Sequence, residues 1–162
     1  MEEKQNKKSV AEKEREVLAF WKERGIFEKT LAKDAPEGDF VFYDGPPFAT
    51  GLPHHGSLLS SIIKDVVPRY KTMRGYRVAR RWGWDCHGLP IESLIEKRLG
   101  LKTKKDIEKV GVAAFNTAAR NSVLEFEKEW ETYVERVGRF VDFRNSYKTM
   151  DNAYMERVWG VL

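Results

Sequence analysis

The sequence predicts an α/β fold with a parallel sheet, and three consecutive segments carry that prediction. Residues 40–45 (FVFYDG) are apolar at successive positions, as in a strand that is buried on both faces of a parallel sheet. Residues 57–74 place apolar side chains at helical spacing, and residues 76–82 (YRVARRW) have the composition of a second strand. A strand, a helix and a strand in this order form a parallel pair joined by a right-handed crossover.

The chain before the first predicted strand is read as a helix and a linker, which together make up residues 1–39. Ser9 and Glu12 fit a capping box, so a helix is predicted over 10–24 with Gly25 closing it. Residues 34–39 (DAPEGD) are rich in turn formers and predict a loop. The α/β part of the chain is then expected to occupy residues 40–162.

The segment between the two predicted strands is a loop followed by an amphipathic helix. Residues 45–56 hold three glycines and three prolines and therefore predict a loop. The helix is expected to begin at Ser57, to have one broad apolar face, and to kink or break near Pro68, which removes a backbone donor. Arg74 and Gly75 end it.

Four further helices are predicted after the second strand. Residues 83–90 form a second loop, and Pro90 suits the first turn of a helix that runs to Leu99. Thr103 caps a short helix, and a long helix is predicted over 112–137. Residues 140–151 are read as a loop that could hold a short strand, and a last helix follows in which the chain ends.

Composition and cysteine content limit the class of protein. Hydrophobic residues make up 41% and charged residues 33% of the 162, and no apolar run reaches the roughly 18 residues of a membrane span. The charged N-terminus does not resemble a secretory signal. The single cysteine, Cys86, excludes an internal disulfide and a Cys-rich zinc site. We therefore expect a cytoplasmic protein with no membrane partner, and the net charge of +4 is compatible with nucleic acid.

The first loop combines the features of a phosphate-binding turn. Its glycines allow the backbone to approach a ligand closely, and the helix that follows points free amide groups at the same place. His54 and His55 add ring N–H donors there. The alternative is that these histidines only satisfy nearby backbone groups.

The second loop, GWDCHGLP, offers a carboxylate at the carboxyl end of a strand. Both loops leave the carboxyl ends of the predicted parallel strands, so they are expected to face one crevice. Asp85 could hold an ammonium group through a charge-assisted hydrogen bond, or it could serve only the local turn. Cys86 fits a small buried residue better than a nucleophile. A zinc site built from His54, Cys86 and His87 is conceivable, although the spacing matches no common ligand pattern. No metal site is therefore predicted.

Together the two loops resemble a known family. The segments FYDGPPFATGLPHHGS and GWDCHGLPIE are similar to the signatures of the isoleucyl-tRNA synthetases, and the likeness runs from about Val10 to the C-terminal YMERVWGVL. The pair of motifs distinguishes this family from its leucyl, valyl and methionyl relatives. The chain is identified as resembling the N-terminal part of such an enzyme.

The resemblance implies the fold, the reaction and the site. The fold would be a Rossmann-like (HUP-type) parallel sheet with flanking helices, present only as the first half of a class I synthetase catalytic domain. The reaction would activate isoleucine with ATP and Mg²⁺ to isoleucyl-adenylate and transfer it to tRNA(Ile). The implied catalytic residues are His54 and Ser57. The implied ATP-binding residues are Pro47, Gly51, Pro53, His54, His55, Gly56 and Ser57, and the implied amino-acid-binding residues are Gly45, Pro46, Asp85 and His87.

The sequence departs from the family's pattern in two ways. Ser57 stands where the first ATP signature has its second histidine, and the Lys-Met-Ser-Lys-Ser loop of the family is absent from residues 1–162. We therefore expect weak or no activity from this chain alone, and apolar sheet surface left uncovered at Phe40, Phe42 and Val78. The alternatives are an accessory half-domain that binds ATP, tRNA or a synthetase without catalysis, and a degenerate product.

Overall fold

The computed structural model describes residues 8–162 of the chain. Within that range it contains eight helices and two strands, in the order α1 (Val10–Glu23), α2 (Ile26–Ala32), α3 (His55–Met73), β1 (Arg81–Trp84), α4 (Leu89–Leu99), α5 (Lys104–Val110), α6 (Val112–Ser122), α7 (Glu127–Arg136), β2 (Asp142–Lys148) and α8 (Asn152–Trp159). The predicted α/β class with a parallel sheet is confirmed, because β1 and β2 pair in parallel.

The predicted strand over 40–45 is wrong as a regular strand. Residues 39–48 run beside residues 77–85 but pair with them only at two isolated parallel bridges, Asp39 with Arg77 and Phe48 with Asp85. From one bridge to the next, the first segment advances by nine residues and the second by eight, so the first segment has one extra residue between the bridges. This bulge and the prolines at 46 and 47, which lack a backbone donor, prevent a continuous ladder.

The second predicted strand lies later than expected. β1 covers 81–84 instead of 76–82, because its partner β2 reaches only the end of that segment. β2 itself is interrupted: Arg81 pairs with Asp142 and Gly83 pairs with Tyr147, which leaves three extra residues on β2. The side chain of Asp142 accepts the backbone N–H of Asn145 at 3.1 Å and supports this irregular turn.

The N-terminal segment folds onto the rest of the chain. The capping box of Ser9 and Glu12 is present, and Gly25, with φ of 56°, ends α1 as predicted. The sequence did not predict α2, which follows α1 directly and has Gly25 as its N-cap. The ring of Trp21 packs edge-on against Phe140 with centroids 5.0 Å apart, so this segment is more than a linker.

Helix α3 begins two residues earlier than predicted, at His55, and Pro68 does not break it. Its buried residues are small or polar and follow a helical stripe: Ser61, Pro68 and Thr72. The apolar face that the sequence predicted is therefore not the buried face of the helix. This apolar face is exposed and consists of Leu59, Ile62, Ile63, Val66, Val67, Tyr70 and Met73.

The exposed apolar surface also differs from the one predicted on the sheet. Val78 is fully buried, and Phe40 and Phe42 are half-buried. The neighbouring positions Val41 and Tyr43 are exposed instead, at 69% and 90%. Side chains alternate between the faces of an extended segment, so a one-residue difference in register exchanges the exposed and buried sets.

The exposed face of α3 is expected to bind a hydrophobic dye and to promote self-association. Contiguous apolar patches of this kind on a lone domain mark surfaces that another polypeptide normally covers. Replacing Leu59 and Ile63 with lysine should reduce ANS fluorescence and shift the chain toward the monomer in sedimentation, with little change in Tm. A chain that is monomeric and does not bind ANS before substitution would contradict this.

The predicted long helix over 112–137 is two helices. Residues 123–126 form a turn between α6 and α7, and the hydroxyl of Ser122 donates to the carbonyl of Ala119 at 2.8 Å. The turn directs Val123, Trp130 and Val134 into one core with Trp82 and Trp84 of β1. The predicted C-terminal helix exists, but it ends at Trp159 before the chain does.

Candidate active site

The two loops meet at the carboxyl end of the sheet. The backbone N–H of Asp85 donates to the carbonyl of Pro47 at 2.9 Å, next to the bridge between Asp85 and Phe48. The end of β2 joins them, because the N–H of Thr149 donates to the Trp84 carbonyl at 3.1 Å. The edge of an α/β sheet at which ligands usually bind is therefore formed here by both predicted loops.

The first loop ends in a helix cap made by a histidine. His54 is the N-cap of α3, and its Nδ1 accepts the N–H of Gly56 at 3.1 Å. The N–H of His54 donates in return to Ser57 Oγ at 3.2 Å. A neutral imidazole whose Nδ1 accepts a hydrogen bond carries its proton on Nε2, so His54 has a donor left for a ligand.

The alternative interpretation, in which the histidines satisfy nearby backbone groups, is thus correct for Nδ1 of His54. The ring serves the local backbone through Nδ1, while both His54 and His55 remain exposed. Gly56 suits this cap, because a Cβ there would lie 2.9 Å from Cε1 of His54 and the ring would have to move. Ser57 lies in the first turn of α3 and completes the capping box, so it does not start the helix as predicted.

Two glycines of the first loop are held by distant side chains. The indole N–H of Trp130 donates to the carbonyl of Gly51 at 2.9 Å, and Lys64 Nζ donates to the carbonyl of Gly45 at 2.6 Å. Both anchors come from helices, α7 and α3. The loop is therefore attached to these helices at its start and near its middle.

The second loop forms a tight turn around Asp85. Asp85 Oδ1 accepts the N–H of His87 at 3.3 Å, and no hydrogen bond to Oδ2 is found within the described chain. His87 Nε2 lies 3.1 Å from the Thr149 carbonyl. Cys86 is 6% exposed and its N–H donates to Thr149 Oγ1 at 2.8 Å, which agrees with a small buried residue.

Sequence reasoning missed a buried ionic cluster beneath the first loop. The carboxylate of Asp44, 5% exposed, pairs with the guanidinium of Arg139, 4% exposed, and lies 2.7 Å from Lys64 Nζ. The hydroxyl of Tyr147 donates to the Asp44 carbonyl at 3.1 Å. Asp44 is adjacent to Gly45 and is thereby fixed from α3, from β2 and from the turn before β2.

Tyr147 connects this cluster with the second loop. Burial, followed by the nearby Tyr154 and the carboxylates of Asp44 and Asp85, raises the pKa of the Tyr147 phenol, which keeps it protonated as a donor. Gly83 makes room for the ring, since a Cβ there would lie 2.2 Å from Cζ of Tyr147. The one signal in the sequence for this ionic cluster was Asp44, a carboxylate that directly follows the apolar residues 40–43.

Two groups of predicted site residues are not linked directly to each other. No hydrogen bond joins the His54–Ser57 group to the Asp85–His87 group within residues 8–162. A cavity of about 660 Å³ lies between α1, α2, α7 and residues 138–144 and is lined by none of the predicted site residues. The described residues bring no three His, Cys, Asp or Glu side chains together as a metal site. They also include no helix with the length and apolarity of a membrane span.

Comparisons with known proteins agree with the resemblance. The chain is 60% identical over 149 residues to the isoleucine–tRNA ligase of Treponema pallidum (strain Nichols) and 55% identical over 155 residues to that of Chlamydia pneumoniae. These matches cover 92% and 96% of this chain but only 14% and 15% of the relatives. The chain thus spans about a seventh of the length of these relatives and is homologous to that part of isoleucine–tRNA ligase.

A solved structure and a family model match as well. A LeuRS from Agrobacterium radiobacter K84, solved in a ternary complex with tRNA and LeuAMS, superposes with a TM-score of 0.57 at 22% identity, over 92% of this chain and 17% of that one. The likeness supports a class I synthetase fold. The family model described as tRNA synthetases class I (I, L, M and V) matches residues 16–162. This chain therefore belongs to the class I tRNA synthetase family.

Proposed function

We propose that this chain supplies the ATP-phosphate and isoleucine-ammonium half of an isoleucine–tRNA ligase active site. The observation that carries the proposal is the backbone hydrogen bond between Asp85 and Pro47, which joins the two signature loops at one sheet edge. In the reaction, a carboxylate oxygen of isoleucine attacks the α-phosphorus of ATP and pyrophosphate leaves. The isoleucyl group then passes to the 3′ end of tRNA(Ile).

The start of α3 is proposed to bind the phosphates of ATP. The amide groups of the first turn and the positive end of the helix dipole favour an anion there. His54 adds its Nε2–H, whose position is set by the bond to Gly56. His55 lies beside it and is exposed, while Pro47, Gly51 and Pro53 shape the loop.

Asp85 is proposed to bind the ammonium group of isoleucine. Its Oδ1 is engaged by the turn, and Oδ2 is available for a charge-assisted hydrogen bond. Gly45 and Pro46 would lie beside the amino acid, and their position depends on Asp44 and Lys64. His87 would contribute to the amino-acid side of the crevice from its place against Thr149.

The fold is proposed to be the first half of a Rossmann-like (HUP-type) domain, with residues 1–39 as an N-terminal segment and 40–162 as catalytic chain. The exposed face of α3 and the exposed Val41 and Tyr43 support this, because a second half of the domain would cover them. The whole enzyme would act in the cytoplasm.

Magnesium is proposed to accompany ATP. Phosphate oxygens and a few carboxylates are the usual ligands of Mg²⁺ in nucleotide sites. No separate protein cage, and no zinc, is proposed for this segment. When bound, the ion neutralises phosphate charge, while His54 and the first turn of α3 orient the phosphate chain.

Isoleucine-dependent ATP–pyrophosphate exchange tests the proposal. Residues 1–162 alone should give exchange near background, because half a site leaves the reactants poorly positioned. The same residues, placed in the T. pallidum isoleucine–tRNA ligase in exchange for its matching segment, should restore isoleucine-dependent exchange. This chimera is called the completed enzyme below. A completed enzyme that folds but gives no such exchange would overturn the proposal, and RNA binding without exchange would favour the accessory half-domain.

A further inference from the structure

The net positive charge of the chain is concentrated in one short segment. Residues 97–109 contain six of the 29 basic residues and two of the 25 acidic residues. The net charge of this segment is +4, which equals that of the whole chain. The remaining residues are balanced in sign, so any electrostatic preference for a polyanion arises mainly here.

Most of these cations are exposed and have no carboxylate partner among the described residues. Arg98 pairs with Glu125 at 2.6 Å, and Lys109 lies 3.5 Å from Asp106. The other four, Lys97, Lys102, Lys104 and Lys105, are exposed and make no ion pair in residues 8–162. We call these four residues the lysine patch.

Two residues of the lysine patch are unfavourable for the stability of α5. Lys104 and Lys105 occupy the first turn of α5, where the positive end of the helix dipole disfavours cations. Asp106 holds this turn instead, since its carboxylate accepts the backbone N–H groups of Lys102 and Thr103. The cap therefore fixes the backbone of the patch while the lysine side chains remain free for a partner.

The position of the lysine patch relates it to the two loops. Helix α4 begins at Leu89, just after the Asp85 turn, and its eleven residues extend about 16 Å to the patch. A stacked strand rises about 3.4 Å per nucleotide along its axis, so a nucleic acid strand ending at the loops would place roughly its fifth phosphate there.

We propose that the lysine patch binds the phosphate backbone of an RNA strand whose 3′ end lies at the Asp85 turn. The proposal rests on the proposed function, which places an RNA 3′ end at these loops. RNA suits the patch better than a membrane, because residues 97–109 contain no aromatic side chain to insert into a lipid interface. The contacts would be to phosphates and would not depend on RNA sequence.

Fluorescence anisotropy with the full chain and a fluorescein-labelled RNA hairpin bearing a single-stranded 3′ extension tests this. The variant is Lys102→Glu with Lys104→Glu and Lys105→Glu. A matched control reverses three exposed cations elsewhere that form no ion pair with the described residues, Lys13, Arg15 and Lys29, and therefore changes the net charge equally. Circular dichroism melts establish that both variants fold.

The patch variant should bind the hairpin at least about tenfold more weakly, with a slope of log affinity against log salt smaller by roughly three, about one per lysine. The control should lose much less affinity. Equal losses in both variants, or no binding of the hairpin by the unchanged chain at low salt, would overturn the proposal. So would loss of binding to phosphatidylserine vesicles in the patch variant while RNA binding is kept. ATP–pyrophosphate exchange by the completed enzyme is measured separately, so a failure of the proposed function would be distinguished from a failure of RNA binding by the lysine patch.

Discussion

Replacing Asp44 with asparagine is expected to lower the free energy of unfolding by about 3–5 kcal/mol, the usual cost of removing one partner of a buried ion pair. The carboxylate is 5% exposed, and its loss would leave the buried guanidinium of Arg139 without a counter-charge. Lys64 would lose the same partner. Urea unfolding of the chain, followed by circular dichroism, measures the effect.

The chain offers a matched control in the exposed pair of Asp39 and Arg77. Both side chains are 58% exposed, and their atoms approach to 2.7 Å. Asp39→Asn should change the unfolding free energy far less than Asp44→Asn does, because solvent screens the exposed pair. Equal effects of the two substitutions would show that Asp44 does not support the first loop in the way inferred.

Replacing Ser57 with histidine is expected to raise the rate of isoleucine-dependent exchange in the completed enzyme by roughly tenfold to a hundredfold. A hydrogen bond to a charged group contributes about 1.5–3 kcal/mol, and it accelerates the reaction if it forms only in the transition state. Ser57 lies in the first turn of α3, next to the amide groups proposed to bind phosphate. Its hydroxyl is engaged with the His54 N–H.

Ser60→His provides the comparison for this experiment. Ser60 is an exposed serine on the same helix, one turn after the proposed phosphate site, and its hydroxyl donates only to the Ser57 carbonyl. That change should leave exchange unaltered. If Ser57→His also left the exchange rate unchanged, the role given to position 57 in ATP binding would be wrong.

Local signals in the sequence predicted much of the framework. Ser9 with Glu12, Gly25, and Thr103 are cap residues whose effect is confined to a few neighbours, and the helix ends at these caps agree with the structure. The meeting of the two loops also followed from topology, because parallel segments bring their carboxyl ends to one edge. The bond between Asp85 and Pro47 confirms that expectation.

Features that depend on distant partners could not be predicted in this way. Asp44 pairs with Arg139, 95 residues later, and no local pattern connects the two. The turn at 123–126 contains neither glycine nor proline. The helical spacing of apolar residues therefore predicted one continuous helix across it. The apolar pattern of α3 correctly indicated a face suited to burial, but the buried stripe of Ser61, Pro68 and Thr72 lies elsewhere on the helix.

The role of Asp85 is the most direct test of the claim that both loops form one active site. Asp85→Asn keeps an acceptor for the His87 N–H but removes the negative charge. In the completed enzyme, the KM for isoleucine in ATP–pyrophosphate exchange should rise by at least about tenfold, because a charge-assisted hydrogen bond to the ammonium is lost. The KM for ATP should remain within about twofold, and the exposed Asp34→Asn should change neither. An unchanged KM for isoleucine in the Asp85→Asn enzyme would contradict the proposed site.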